Sequence, residues 1–201
     1  MLMIEIGVSS QKNLLDLLVK ELNIRVPLPN YIEKEEIIYK NDPWLSVNEL
    51  FIKTNKYEKV LYSKIVRQDF VQIILINHIG SVLFQLRFRI GAMDYVLELP
   101  GGGCEDGEKP KDSAYRELKE ELGIKINNLS PLGSYFLDPM RSSCKGHFFY
   151  GKEEESIREL SGTIPGELED STFFWLPNSL IKRFQPMMPM STVSALSSLI
   201  N

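Results

Sequence analysis

Alternating apolar and polar residues predict β-strands through the middle of the chain. Between residues 81 and 90 every second residue is apolar, whereas Gln85, Arg87 and Arg89 lie between them, so the two sets face opposite sides of a sheet. Residues 70–76 are almost continuously apolar, which is typical of a strand buried on both faces. Further segments rich in β-forming residues span 50–53, 59–66, 132–137, 147–150 and 173–176.

Helical periodicity predicts a helix over residues 11–22 and a second, acidic helix later in the chain. The second begins near Pro110, with Asp112 or Ser113 as its N-cap, and ends at Gly123, a residue type suited to the left-handed C-terminal position. Apolar residues recur on one face of each helix: Leu14, Leu15, Leu18 and Leu22 in the first, and Ala114, Leu118 and Leu122 in the second. Two short helices are expected at about 177–183 and 191–200.

The residue pattern changes near residue 45, where segments rich in β-forming residues begin, and this change predicts two regions. Residues 1–45 form an N-terminal extension of one helix and a linker, and residues 46–201 form the main domain. The leucine face of the first helix is expected to pack either on the main domain or on a second subunit, so a homodimer is predicted.

Net charge, cysteine count and hydrophobicity limit the binding partners and the cellular compartment that are expected for the protein. A net charge of −4 argues against non-specific nucleic-acid binding, which relies on basic surface. Two cysteines in 201 residues are no disulfide framework, so both are expected to be thiols in a reducing cytoplasm. The sequence has no long apolar run and no signal-peptide pattern, so neither a membrane span nor secretion is predicted.

The acidic helix carries the candidate chemistry. Glu117, Glu120 and Glu121 are spaced i, i+3 and i+4, which places three carboxylates on one helix face. Such a face is often only solvated surface. Because like charges repel, a hard divalent cation such as Mg²⁺ or Mn²⁺ is the alternative that would stabilise it.

The residues around this face decide between the two interpretations. The segment matches the pattern G-x5-E-x7-R-E-U-x-E-E-x-G-U, with U aliphatic, at every specified position: Gly102, Glu108, Arg116, Glu117, Leu118, Glu120, Glu121, Gly123 and Ile124. The chain therefore resembles the Nudix hydrolases, which cleave nucleoside diphosphates linked to another moiety. Pattern alone predicts a mixed α and β domain. The resemblance implies the Nudix fold, an α/β/α sandwich with a mixed β-sheet.

The flanking residues resemble the ADP-ribose pyrophosphatase branch of that family. The strand at 82–89 and the segment at 97–102 match the branch's patterns, and Pro139 lies 15 residues beyond Ile124. The resemblance implies that Arg89 and Glu98 contact substrate, whereas Arg87 replaces the glutamine usual there. From the pattern alone, the two strand arginines could be solvated surface or could line an anion site. Arg141, in a loop expected to close over substrate, is a further candidate contact.

The resemblance also assigns roles within the box. Glu117 and Glu121 are expected to hold divalent cations, with Glu120 and the Gly101 carbonyl as further ligands. Glu120 and Glu121 are thereby counted as catalytic, and a general base is expected from loop 153–169. The candidates for that base are Glu155, Glu167 and Glu169, and the sequence does not choose among them. The expected structural members of the motif are Gly102, Glu108, Arg116 and Gly123, with Arg116 orienting a carboxylate. His147, the only histidine near the site, is predicted to be structural.

The predicted function is metal-dependent hydrolysis of a nucleoside diphosphate-sugar, with ADP-ribose giving AMP and ribose 5-phosphate. Two alternatives stay open. One is Nudix hydrolysis of another nucleotide, such as GDP-mannose, NADH or an oxidised nucleoside triphosphate. The other is a sensing domain that binds a nucleotide-sugar without cleaving it. The expected partner is a small nucleotide, with neither nucleic acid nor membrane.

Overall fold

The computed structural model describes residues 8–23, 25, 31–54, 57, 59–153 and 171–198. The chain divides into two compact units, Met1–Val66 and Arg67–Asn201. The boundary predicted from sequence, after residue 45, does not coincide with this division. It falls at the start of the strand Leu45–Lys53, which pairs with the strand before it.

The first unit combines a helix with a three-stranded antiparallel sheet. Its elements are α1 (Val8–Leu22), β1 (Tyr31–Asn41), β2 (Leu45–Lys53) and β3 (Val60–Val66), with strand order β1-β2-β3. Strand β1 was missed, because its polar residues 33–36 suggested a linker. One of them finds partners across the sheet: Glu35 accepts a hydrogen bond from Asn48 at 2.6 Å and pairs with Lys64 at 3.3 Å.

The second unit is built on a mixed sheet. Its strands are β4 (Phe70–Ile76), β5 (Val82–Arg89), β6 (Asp94–Glu98), β7 (Ser130–Phe136), β8 (Lys145–Lys152) and β9 (Ser171–Leu176). They are ordered β6-β5-β4-β8-β7, with β9 paired to β5. Only the β4–β8 pairing is parallel among the described strands. The sheet is therefore mixed, as the resemblance implied.

Helices cover both faces of this sheet. On one face, α2 (Pro110–Leu122) packs Ala114 and Leu118 against apolar residues of the sheet. On the other, α3 (Asn178–Phe184), a 3-10 turn (Gln185–Met187) and α4 (Met190–Ser197) cover a second apolar cluster. The second unit is thus an α/β/α sandwich, and the predicted fold class is confirmed. Among the described residues, no helix is both long and apolar enough to cross a membrane.

The sequence predicted the C-terminal end of α2 correctly but not its N-cap. Gly123 adopts φ 65° and its N–H reaches the Lys119 carbonyl at 3.0 Å, which is the left-handed ending predicted. At the start, Pro110 is the first helical residue and Lys109 is the cap. The predicted caps Asp112 and Ser113 lie inside the helix, so that prediction was wrong.

The turn before α2 is held along β4. Backbone N–H groups of Val71 and Ile73 donate to the carbonyls of Gly102 (2.8 Å) and Pro100 (2.9 Å), and Cys104 N–H donates to Asp69 at 2.8 Å. These bonds fix the glycine turn beside the acidic helix.

Candidate active site

Arg116 organises the acidic face of α2. Its Nη1 donates to Glu117 at 2.8 Å and to Glu120 at 3.0 Å, while Nε and Nη2 donate to Glu108 at 3.1 and 3.0 Å. Nη2 also donates to the Gly103 carbonyl at 2.8 Å. The sequence predicted one orienting pair, with Glu120. The structure adds two more carboxylates and ties the helix to the preceding turn.

Glu108 is the most strongly held of these carboxylates. Hydrogen bonds from Arg116, and then from the Ser113 hydroxyl at 2.6 Å, lower the pKa of Glu108 to about 2. The same contact with Glu108 is the main cause that raises the pKa of Arg116. Glu108 is therefore an anion throughout the neutral and mildly acidic range.

This lowered pKa predicts a pH-dependent stability difference between wild type and Glu108→Gln. Because the folded pKa lies below the ordinary value of 4.5, the stabilisation is present above pH about 4.5 and is lost as pH falls toward about 2. Urea unfolding at pH 7, 4.5 and 3 should show wild type more stable than the variant at pH 7, with a gap that shrinks on acidification. A gap independent of pH would contradict the assignment.

Glu121 faces the sheet rather than Arg116's surface. It is only 7% exposed, and one carboxylate oxygen accepts a hydrogen bond from the Gly101 N–H at 3.1 Å. Its other oxygen lies 3.8 Å from Nη2 of Arg87. Arg87 is itself only 5% exposed, so of the two possibilities left open for it, solvated surface is wrong.

The glycines of the turn permit these close approaches. Gly101 has φ 146°, and a Cβ there would lie 2.1 Å from the Val71 carbonyl oxygen. A Cβ on Gly102 would lie 2.5 Å from Oε1 of Glu117. A larger residue at either position would therefore displace the turn or the carboxylate.

Arg89 and Glu98, two predicted substrate contacts, meet across neighbouring strands. Arg89 donates through Nε and Nη2 to one oxygen of Glu98, at 3.0 and 2.7 Å. Arg141 lies exposed in the loop between β7 and β8, where its N–H donates to the Asp138 carbonyl at 3.0 Å. Its role in substrate binding stays a prediction. The candidate bases Glu155, Glu167 and Glu169 lie outside the described residues.

One cluster beside the turn was not anticipated as a unit. The His147 ring lies 3.1 Å from an Asp69 oxygen through Nε2 and 2.7 Å from the Ser134 hydroxyl through Nδ1. Asp69 also accepts the Lys145 N–H at 2.8 Å. These contacts join β7 and β8 to the start of β4. They depend on strand register, for which the sequence carries no local signal.

The donor types at the acidic face suit a hard divalent cation. Glu117, Glu120, Glu121 and the Gly101 carbonyl supply only oxygen ligands, as Mg²⁺ and Mn²⁺ prefer. The missing Cβ of Gly102 leaves room for the Glu117 carboxylate beside the turn. Within the part of the chain described, no group of three or more His, Cys, Asp or Glu side chains is already gathered around one point. Since Arg116 holds Glu117 and Glu120, a cation would compete with it for both.

Comparison with known proteins agrees with this geometry. The family model described as "NUDIX domain" matches residues 66–189. The chain belongs to the Nudix family. The matched segment contains the whole Nudix box, from Gly102 to Ile124, and nearly all of the described part of the second unit.

Individual Nudix relatives are similar over part of their length. An ADP-sugar pyrophosphatase of Mus musculus is 40% identical over 72 residues, which are 35% of this chain and 32% of that protein. An ADP-ribose pyrophosphatase of Bacillus subtilis is 27% identical over 89 residues, 44% of this chain and 48% of that one. An RNA pyrophosphohydrolase of Shewanella woodyi is 39% identical over 64 residues, 32% of this chain and 35% of that one. The matched segments thus span less than half of each relative.

A solved structure shares the Nudix fold of this chain. It is the crystal structure of an ADP compounds hydrolase, with a TM-score of 0.70 and 20% identity, covering 88% of this chain and 95% of the other. The predicted resemblance to the Nudix family, in its ADP-ribose pyrophosphatase-like branch, is confirmed by these similarities.

Proposed function

We propose that this Nudix protein hydrolyses the diphosphate bond of a nucleoside diphosphate-sugar, with ADP-ribose as the favoured substrate. The observation that carries the proposal is the assembled box, in which Arg116 is bonded to three box carboxylates. The Arg89–Glu98 pair on β5 and β6 adds to it. The relatives named as ADP-ribose and ADP-sugar pyrophosphatases support the choice of substrate class.

The residues of the box and of strand β5 have different roles in the proposed reaction. Glu117, Glu121, Glu120 and the Gly101 carbonyl would hold Mg²⁺ or Mn²⁺. Such a cation, when bound, neutralises phosphate charge and lowers the pKa of a water molecule. Arg116 keeps the carboxylates oriented. Arg89 would place its positively charged guanidinium group next to the anionic substrate.

Hydrolysis would then require one proton acceptor. Water adds to one phosphorus, the bond from that phosphorus to the bridging oxygen breaks, and AMP and ribose 5-phosphate leave. Glu167 or Glu169 would accept the proton of the attacking water as general base. Both are carboxylates in the acidic segment that precedes β9.

A second candidate is hydrolysis of a 5′-triphosphate end of RNA. The similarity to the Shewanella woodyi protein favours it, whereas the net charge of −4 opposes recognition of a long polyanion. GDP-mannose, NADH and an oxidised nucleoside triphosphate are further substrates within the same reaction class. A domain that only senses a nucleotide-sugar is the non-catalytic alternative.

A substrate panel separates these candidates. ADP-ribose, GDP-mannose, NADH, 8-oxo-dGTP and a 5′-triphosphorylated RNA oligonucleotide are each incubated with the protein and Mg²⁺, and products are separated by ion-exchange chromatography. The highest kcat/KM is expected for ADP-ribose, with AMP released. Preference for the RNA by tenfold or more would replace the proposed substrate. ADP-ribose binding in calorimetry without any cleavage would favour sensing.

We also propose that the protein is a cytoplasmic homodimer. The leucine face of α1 supports the dimer, since Leu14, Leu18 and Leu22 are each between 42% and 63% exposed. Cys104 and Cys144 are free thiols, which suits a reducing compartment.

A further inference from the structure

The face of β5 that points toward α2 carries three polar side chains in a row. Gln85, Arg87 and Arg89 alternate along the strand. Gln85 donates to the Leu99 carbonyl at 3.1 Å, and Arg89 bonds Glu98. Arg87, between them, lies beside Glu121 of the box. One strand face therefore touches the turn, the helix and the neighbouring strand of the site.

The Arg87–Glu121 pair differs from its neighbours in burial. The two side chains are 6% and 4% exposed, whereas those of Arg89 and Glu98 are 37% and 12% exposed. Charges so deeply buried are costly unless a counter-charge accompanies them. The Nη2 of Arg87 lies 3.8 Å from Oε1 of Glu121, which is longer than a hydrogen bond and is an ion-pair distance. The backbone of Arg87 is held on both sides, opposite Val96 and Ser171.

We propose that Arg87 is a positioning residue that supplies the counter-charge for buried Glu121 and sets how tightly the site takes up its divalent cation. The inference rests on the proposed metal-dependent function. Arg87 supplies positive charge to Glu121 before any cation arrives, and it repels a cation that does arrive. Arg87 thus stabilises the metal-free protein and weakens metal binding.

The sign of each effect follows from charge. Replacing Arg87 by glutamine removes the positive charge of the guanidinium group, so Glu121 stays buried without that counter-charge. The metal-free protein should become less stable, while Mg²⁺ and Mn²⁺ should bind more tightly. A contact with substrate alone would instead raise KM and leave metal affinity unchanged.

The test is metal binding in the absence of substrate. Titration calorimetry with Mg²⁺ and with Mn²⁺ is run on wild type, Arg87→Gln, Arg87→Lys and Arg89→Gln, together with thermal unfolding with and without metal. For Arg87→Gln we expect a Kd about tenfold lower than that of wild type, comparable to the effect of a nearby charge on an ionisation equilibrium. Its Tm should fall without metal, and its metal-induced rise in Tm should exceed that of wild type.

The other variants make the result specific. Arg89→Gln removes the same charge two residues along the same strand face, and its Kd should stay within about threefold of wild type because its partner is Glu98. Arg87→Lys retains charge, so its Kd should also stay within about threefold of wild type. If Arg87→Gln fails to fold, Arg87→Met, which is neutral and of similar length, replaces it in the titration with the same expected Kd.

Three outcomes would overturn the inference. The first is unchanged or weaker metal binding by folded Arg87→Gln while wild type binds metal, which would leave the proposed function standing. The second is a shift of more than tenfold for Arg87→Lys. The third is absence of Mg²⁺ and Mn²⁺ binding by wild type, which would overturn the proposed function as well.

Discussion

Glu121→Gln is expected to lower kcat for ADP-ribose by at least about 100-fold in saturating Mg²⁺. Glu121 is the box carboxylate that faces the sheet, with the Gly101 N–H on one oxygen and Arg87 beside the other. Glutamine preserves the size and an oxygen for the Gly101 N–H, but it removes the negative charge that a divalent cation requires. Initial rates from released AMP, over a range of Mg²⁺ concentrations, measure the effect.

The matched control is Asp112→Asn, an exposed acid on the same helix. It removes one negative charge from α2 at an exposed residue that is not among the proposed metal or substrate contacts, and it should leave kcat within about twofold of wild type. Circular dichroism and thermal unfolding confirm that both variants are folded. Turnover by folded Glu121→Gln equal to that of wild type would remove Glu121 from the metal site.

Gly101→Ala is expected to cost about 3 kcal/mol of unfolding free energy and to abolish most activity. The new Cβ would lie 2.1 Å from the Val71 carbonyl oxygen, and φ at this residue is 146°, a region that residues with a side chain rarely adopt. The obstacle is backbone held in β4, so it cannot rotate away. The turn must then move, and with it both the Gly101 carbonyl and the N–H that bonds Glu121.

Gly91→Ala tests whether this cost is specific to the position. Gly91 lies between β5 and β6, and a Cβ there meets nothing within 4 Å, so its stability should stay within about 0.5 kcal/mol of wild type. Urea unfolding gives both values from the midpoint and slope. A Gly101→Ala protein with the midpoint and turnover of wild type would show that the turn tolerates a side chain.

Sequence spacing was sufficient for the box because its signals are local. The periodic apolar face of α2 and the left-handed Gly123 are set within a few residues, and the structure has both. The strands at 70–76 and 82–89 were likewise predictable from apolar runs and alternation. Strand β1 was not, since its charged residue Glu35 is satisfied by Asn48 and Lys64, which lie far along the chain.

The contacts that arrange the site could not be predicted from the sequence either, because they also depend on how distant parts of the chain fold together. That Arg116 reaches Glu108 and Gly103 depends on how the turn folds back over the helix. The burial of Arg87 depends on which helix covers β5, and strand alternation indicates only the face on which it lies. The predicted N-cap was also wrong, because Pro110 starts the helix before Asp112 and Ser113. The Ser113 hydroxyl donates to Glu108 instead.

Metal-dependent cleavage of ADP-ribose is tested by analysing its products with metal-free protein before and after addition of Mg²⁺. Wild type is stripped with a chelator, dialysed, and followed by phosphorus NMR. No change is expected until Mg²⁺ is added, after which the diphosphate should be converted to equal amounts of AMP and ribose 5-phosphate. Intact ADP-ribose in the presence of both Mg²⁺ and Mn²⁺, with the protein folded, would contradict it.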